Sequence, residues 1–532
     1  LIRRTGYDRR ALPLWTALAW LLCFTAYFCL PGPANIPGDL TPRNVNFVFG
    51  MSETEAQTFM SPPLYFVCWL VALPLVVYVP THLLLRRFVS PAGPKRPDFP
   101  CESMTPYETP QAASGSTPQS TPRGFWNLMF TQFQGAFSDN ALKWLVVFLV
   151  FKMGYSKDQQ DSLVTLAGAV FAVPFLLFSM WGGWLSDRFS KRQVMIGVKM
   201  AEIAIMLLAA LGLWMKSMPL QMTAICLMGL HSAVFAPAKY GILPEVLPAS
   251  RLSWGNGILE LLTFVAIIAG TVAGSHLADG LGDNQVWSGL LLAGLAAVGC
   301  LTSIGSPRVR AADPAKPFVW NFPAEIWRQL KKMKLDRDLW RANWGNAGFF
   351  YIAALVQLNL ALFAEQDFGL KATEQSWLQA ALCLGIGGGS AFTGYFSRGR
   401  IAYGFIPIGA TLMTLASIVM GWPGMNQGMF TAALALLGVG SGMFIVPVAA
   451  VLQHRPAADE KGAVQGVASW VSWVGILAAS LTLELLGKAF GLSHAHVFWF
   501  CGVCALGAGM YVVKSRPGVI RDLFARRSEP GH

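Results

Sequence analysis

The chain has 532 residues, of which 54% are hydrophobic and only 13% charged, and its formal net charge is +12. That composition excludes a soluble globular domain and indicates a polytopic membrane protein. The basic excess is not gathered into a patch interleaved with aromatic residues on a soluble fold, which excludes nucleic-acid binding.

Fourteen apolar runs are long enough to span a bilayer. Two come first, near 12–30 and 62–85. The first has no small-residue cleavage site after it, so it is read as a span rather than a leader. A proline-rich linker (91–123) follows, carrying Pro91, Pro94, Pro97, Pro100, Pro106, Pro110, Pro118 and Pro122. Such a stretch cannot bury enough apolar surface to fold alone. Twelve spans are then expected near 125–151, 162–185, 193–215, 219–237, 253–276, 285–304, 342–364, 375–396, 401–421, 428–452, 463–486 and 494–513.

The basic residues give the expected orientation. Of the 40 Lys and Arg, Lys143 and Lys199 fall inside spans, and only Arg43, Lys152, Lys157, Lys216, Lys371 and Lys488 lie on one side. The remaining 32 lie on the other. Positive loops stay cytoplasmic, so both termini and the linker are expected inside. The expected organisation is two extra N-terminal spans (1–90), the linker (91–123), a six-helix half (124–304), a basic cytoplasmic loop (305–341), a second six-helix half (342–514) and a cytoplasmic tail (515–532). In the basic loop, Phe322, Ile326, Trp327, Leu330 and Met333 recur at helical spacing among Arg328, Lys331, Lys332 and Lys334. That pattern fits a helix on the anionic leaflet or a plain basic linker.

The first span of the twelve is chemically unusual. Thr131–Leu145 carries Gln132, Gln134, Asp139, Asn140 and Lys143. An ionisable group in a span costs roughly 2.5–3.5 kcal/mol or more and faces a cavity or a partner. Asp139 and Lys143, at i and i+4, can form a local pair; Asn140 and the two glutamines are not explained by it, which points to a transport site. Cys501-x-x-Cys504 lies within a span and reads as small packing residues. His494 and His496 lack the further ligands a metal site needs. No metal or cofactor is expected.

Between the second and third of the twelve spans the chain reads Gly183-Trp-Leu-Ser-Asp187-Arg188-Phe-Ser-Lys191-Arg192. This is similar to the G-x-x-x-D-R-x-G-R-R signature of the major facilitator superfamily, with Ser190 in place of its second glycine. Gly183 permits close helix approach. Asp187, with Arg188, Lys191 and Arg192, suits a charge latch whose aspartate also caps a neighbouring helix N-terminus. Within that superfamily the chain resembles the bacterial lysophospholipid transporters through Gln132–Leu142, Phe235–Glu245, Asn256–Asp279 and Gly442–Gln453. The resemblance covers nearly all of 124–513; the two first spans and the linker have no counterpart in it.

The resemblance implies an all-helical major facilitator fold of 6+6 helices that is a transporter and not an enzyme. It implies inward flipping of lysophospholipid across the bacterial inner membrane by alternating access, for re-acylation by a separate acyltransferase or acyl-carrier-protein synthetase. In relatives such enzymes are often joined to the transporter. Here His454 and Asp459 match the spacing of an acyltransferase pair but lie in a loop of about ten residues, with no domain around them. A cavity for a charged head and one acyl chain then draws on Asp139, Asn140, Lys143, Glu202, Lys239 and Glu260, with Gln357 and Asn359 from the second half. Lys239 is equally well read as a positive-inside residue at a helix end, and Gly270-x-x-x-Gly274 as helix packing. Two other functions remain open: a proton-coupled exporter of small amphipathic molecules, with Asp139 and Glu202 as proton carriers, and a non-transporting scaffold for an acyltransferase.

Overall fold

The computed structural model describes residues 122–519 apart from 154–155, 281–283, 320, 371, 398, 489 and 517. The two expected N-terminal spans and nearly all of the linker lie outside the described residues. Within them the chain forms thirteen α-helices. The first six are α1 (Pro122–Lys152), α2 (Lys157–Arg188), α3 (Lys191–Trp214), α4 (Met218–Val246), α5 (Leu252–Gly280) and α6 (Val286–Ile304). A short helix, α7 (Phe322–Met333), lies in the basic loop. The last six are α8 (Arg337–Gln366), α9 (Ala372–Phe396), α10 (Phe405–Met420), α11 (Gln427–His454), α12 (Lys461–Lys488) and α13 (His494–Ser515). Each of the twelve spans read between 125 and 513 coincides with one of the long helices.

Nine of these helices are long and apolar enough to cross a membrane, among the described residues. Leu301, Leu481 and Val503 are each at least 67% exposed. So much apolar surface is tolerated where lipid covers it. The chain is a multi-pass membrane protein.

Local chemistry sets the helix ends. Ser156 and Gln159 form a capping box at the start of α2. Asp336 accepts from the backbone N–H of Asp338 and Leu339 to cap α8, and Asn426 caps α11 by accepting from Met429 N. Such caps satisfy N–H groups that the helix leaves without partners. Helix α4 runs nine residues past the span expected at 219–237 and carries Pro237 and Pro244 inside it. Neighbouring helices can make good the backbone bonds a proline removes in a membrane helix. Lys239 is therefore an intrahelical residue, not one at a helix end.

Small residues set the closest packing. A Cβ on Gly270 would come 2.4 Å from Phe137 O, and one on Gly274 2.6 Å from Ala141 O, so α5 lies directly on α1. In the second half, a Cβ on Gly389 would come 2.1 Å from Val439 O, and one on Gly442 2.4 Å from Ile386 O, fixing α9 on α11. These contacts are of the small-residue kind that drives helix association in lipid.

Helix α7 differs from a leaflet helix. Ile326 and Met333 are buried in the core of the second half, and Phe322 and Leu330 pack against it. Only Trp327 of the apolar stripe is largely exposed. The periodic pattern is used against protein rather than lipid.

Candidate functional site

Three groups of polar residues sit where the helices meet. The first joins the two halves. Asp187, at the end of α2, is fully buried. Its Oδ1 accepts from Gly462 N at 2.6 Å and its Oδ2 from Ala463 N at 2.9 Å, at the N-terminus of α12. A helix N-terminus carries partial positive charge and free N–H groups, so a carboxylate is well placed there. Lys316, from the basic loop, adds an ion pair to Asp187 Oδ2 at 2.8 Å. A Cβ on Gly183 would come 2.5 Å from Gly462 O, so glycine is required for α2 and α12 to touch.

The basic residues of the segment have separate partners. Arg188 donates to Lys316 O at 2.5 Å, and Arg192 donates to Ile304 O at 2.5 Å. Lys191, fully buried, pairs with Glu245 of α4 at 2.6 Å. Arg188 thus ties the inter-half loop to α2, while Lys191 and Arg192 tie α3 to its neighbours; the cation that reaches Asp187 is Lys316.

Further contacts brace the same end. Asn256 of α5 and Gln453 of α11 exchange two side-chain hydrogen bonds of 2.8 Å. A Cβ on Gly257 would meet Ser390 O of α9 at 2.5 Å. Deeper in, Phe175 of α2 stacks on Trp473 of α12 with centroids 4.3 Å apart. All these contacts lie in the latch-side half of the helices, so this is a state joined at that end.

The second group is a buried network inside the first half. Lys199 and Glu202, both fully buried on α3, pair at 2.7 Å. Lys199 Nζ also donates to Gln134 Oε1 of α1 at 2.7 Å. Gln134 Nε2 donates to Glu202 Oε1 at 2.8 Å and to Ser138 Oγ at 2.7 Å. His231 of α4 brings Nε2 to 3.2 Å from Glu202 Oε2. A buried ion pair survives desolvation when its remaining donors and acceptors are satisfied, and Gln134 and His231 supply that. Glycines make the room: a Cβ on Gly135 would come 2.8 Å from Lys199 Nζ, and one on Gly299 1.9 Å from Gln134 Oε1.

The third group centres on Asp139. Ser232 of α4 donates to its Oδ2 at 2.6 Å, and its Oδ1 is buried without a hydrogen bond. The local Asp139–Lys143 pair that the spacing allows is not made: no ion pair within 4.0 Å joins them. Lys143 Nζ instead lies 5.8 Å from the Trp144 ring centre and 5.7 Å from that of Phe171. Lys239 Nζ likewise makes no ion pair among the described residues and sits 4.7 Å from the Tyr240 ring centre. Lys143 follows Asp139 by one turn of α1, and Lys239 follows Ser232, the donor to Asp139, by two turns of α4. Tyr240 donates to Glu260 Oε1 at 3.2 Å. Asn140 donates to Ala136 O at 2.8 Å, within its own helix.

The second half contributes less than its sequence suggests. Asn359 is buried and committed to α13, donating to His494 O at 2.8 Å, with its Oδ1 2.9 Å from His494 Nδ1. Gln357 is exposed on α8. Neither is brought to the Asp139 group by a contact of its own. Glu202 serves the buried network and reaches Asp139 only through His231 and Ser232, whose Nδ1 and Oγ are 3.3 Å apart.

Lys199, His231, Lys316 and the Asn256–Gln453 pair escape sequence reading. Lys199 and Glu202 at i and i+3 inside one span were the available signal. The others meet across 29 to 197 positions of chain and leave no local pattern.

Twelve helices in two sets of six, nine of them long and apolar enough to cross a membrane, latched by an aspartate at a helix N-terminus and enclosing charged groups, have the architecture of a secondary transporter. A family model described as Major Facilitator Superfamily matches residues 128–480. The chain belongs to that superfamily, whose members are transporters and not enzymes. It is similar to the lysophospholipid transporter LplT of Klebsiella pneumoniae (strain 342), 28% identical over 404 residues, covering 72% of this chain and 95% of the relative. It is also similar to LplT of Shigella boydii serotype 4, 30% identical over 351 residues, covering 63% of this chain and 81% of the relative. Among solved structures, the human organic anion transporter MFSD10 shares the fold with a TM-score of 0.63 at 15% identity, covering 74% of this chain and 100% of that one. The E. coli fucose:proton symporter FucP does so with a TM-score of 0.61 at 11% identity, covering 74% and 99%.

Proposed function

We propose that the protein moves lysophospholipids across a bacterial inner membrane, inward for re-acylation by a separate enzyme, by rocking of the two halves. The observation that carries this reading is the set around Asp139. Among the described residues Lys143 and Lys239 make no ion pair, and Asp139 keeps one carboxylate oxygen without a hydrogen bond. A zwitterionic head complements that set, its phosphate toward the lysines and its ammonium toward Asp139. The similarity to transporters named for lysophospholipid supports the same substrate class. In this reading the latch end, the termini and the basic loop face the cytoplasm, following the distribution of Lys and Arg, and the latched state is the one open to the outside.

A proton-coupled exporter is the second reading. It is favoured by the line of groups from Asp139 through Ser232 and His231 to Glu202 and Lys199. Uptake of labelled lysophosphatidylethanolamine into vesicles containing the full chain, with and without a proton gradient, separates the two. Gradient-independent uptake is expected. Gradient-driven efflux of amphipathic drugs without lysolipid uptake overturns the proposal in favour of the exporter, and transport of neither favours the scaffold.

A further inference from the structure

The second half holds a cavity lined by none of the residues of the Asp139 group. It has a volume of about 220 Å³ and lies between the first turns of α8 and α10 and the last turns of α11 and α13. Its inner wall is apolar, formed by Gly345, Ile406, Phe444 and Val448. An apolar cavity of about 150 Å³ already accepts a benzene-sized guest, so this one has room for a segment of acyl chain.

Its mouth is cationic. Asp338 accepts from both Arg455 and Arg516, and Arg455 Nε lies 3.6 Å from Asp336 Oδ2. Arg341 comes no closer than 3.6 Å to Asp338 Oδ1. Three guanidinium groups therefore face two carboxylates, and one positive charge is left over. Arg341 is the least committed of the three: it pairs with Asp338 at 3.6 Å but donates no hydrogen bond among the described residues, and its guanidinium stands 5.9 Å from the Tyr511 ring centre. The Tyr403 and Ser515 hydroxyls beside it also make no hydrogen bond among the described residues. Trp344 and Tyr511, which line the same cavity, are half exposed. Aromatic residues of this kind sit at the headgroup level of a bilayer.

We propose that this cavity binds one anionic phospholipid of the surrounding leaflet, with its phosphate on Arg341 and the start of an acyl chain against Phe444 and Val448. Guanidinium geometry suits a phosphate through two parallel N–H donors. The free hydroxyls of Tyr403 and Ser515 supply further donors, and the apolar wall excludes a bare hydrated anion as the full complement. The site is separate from the Asp139 group: its residues come from α8, α10, α11 and α13, whereas Asp139, Lys143 and Lys239 are on α1 and α4.

The test is lipid retention by the purified full-length protein, read by native mass spectrometry after exposure to phosphatidylglycerol, phosphatidylethanolamine or inorganic phosphate. Wild-type protein is expected to retain one phosphatidylglycerol at least tenfold better than phosphatidylethanolamine. Arg341→Gln breaks no hydrogen bond and is expected to fold while losing that preference at least fivefold. In Gly345→Leu the added Cβ meets Val448 Cγ2 at an ordinary van der Waals distance of 3.7 Å, on the wall of the cavity. The new side chain fills the cavity and is expected to abolish retention with an unchanged or raised melting temperature. Equal retention of the two lipids by wild-type protein, or wild-type preference in Arg341→Gln, overturns the proposal. So does displacement of bound lipid by inorganic phosphate at equal concentration, which marks a simple anion site.

Discussion

Asn256 on α5 and Gln453 on α11 donate to each other across the boundary between the halves, two bonds of 2.8 Å between fully buried side chains. Removing one partner leaves the other unsatisfied, at roughly 1–3 kcal/mol. The bond exists only while the latch end is joined, so the loss falls on that state. Asn256→Ala is expected to raise labelling of a cysteine placed at the latch end by about tenfold, in the lower part of that range. The double change Asn256→Ala with Gln453→Ala is expected to shift it by less than the two single changes added, because neither partner is then stranded. Unchanged labelling in Asn256→Ala would show that the pair does not hold the halves together.

Asp187 accepts from two backbone N–H groups and from Lys316 at once. Asparagine keeps one acceptor oxygen and loses the charge, so Asp187→Asn is expected to weaken the joined state and slow lysolipid uptake at least fivefold with normal membrane abundance. Lys316→Gln removes the ion pair and a 3.3 Å hydrogen bond to Asp459 O, leaves both backbone donors to Asp187 in place, and is expected to have a smaller effect of the same sign. Uptake and abundance measured together check this; equal, undiminished rates in both variants dismiss the latch.

The architecture was legible because membrane helices announce themselves locally. A run of about twenty apolar residues marks a span whatever its partners are, and the Gly183–Arg192 segment marks the turn where the halves meet. Asp139, Glu202 and Lys239 were visible as isolated charges in apolar surroundings. What could not be read was which of them meet. Asp139 is bound by Ser232, 93 positions away, instead of by Lys143 one turn along. Lys199 lay in plain view as a cation in a span, yet Gln134, one of its partners, comes from another helix, 65 positions away. Helix α7 shows the converse error: an amphipathic pattern reports an apolar face but not whether protein or lipid covers it.

Lys199 and Glu202 are fully buried and joined at 2.7 Å. Breaking such a pair by removing one member costs roughly 3–5 kcal/mol, because the remaining charge is left in a low-dielectric interior. Glu202→Gln is therefore expected to cut membrane abundance severely. Lys199→Met with Glu202→Met removes both charges and is expected to recover more than half of it. Wild-type abundance of Glu202→Gln would show that the pair is not a structural support of the first half.

Asp139 is expected to behave in the opposite way. Its bond to Ser232 needs only an acceptor oxygen, which asparagine retains, and no short ion pair to Lys143 is lost when the charge goes. Asp139→Asn should therefore fold and reach the membrane at close to the wild-type level. The carboxylate's second oxygen is buried without a hydrogen bond, a costly arrangement for structure alone and a useful one for a ligand ammonium. Asp139→Asn is expected to lose at least tenfold in lysophosphatidylethanolamine uptake. Adding Lys143→Gln should not restore it, since the two side chains do not neutralise each other at contact distance. Lys143→Gln and Lys239→Gln alone are expected to weaken uptake by raising the substrate concentration needed for half-maximal rate. Membrane abundance and concentration-dependent uptake across the four variants decide the matter. Full uptake by the Asp139→Asn, Lys143→Gln double variant would mean that the two charges serve only each other and that the substrate's head is held elsewhere.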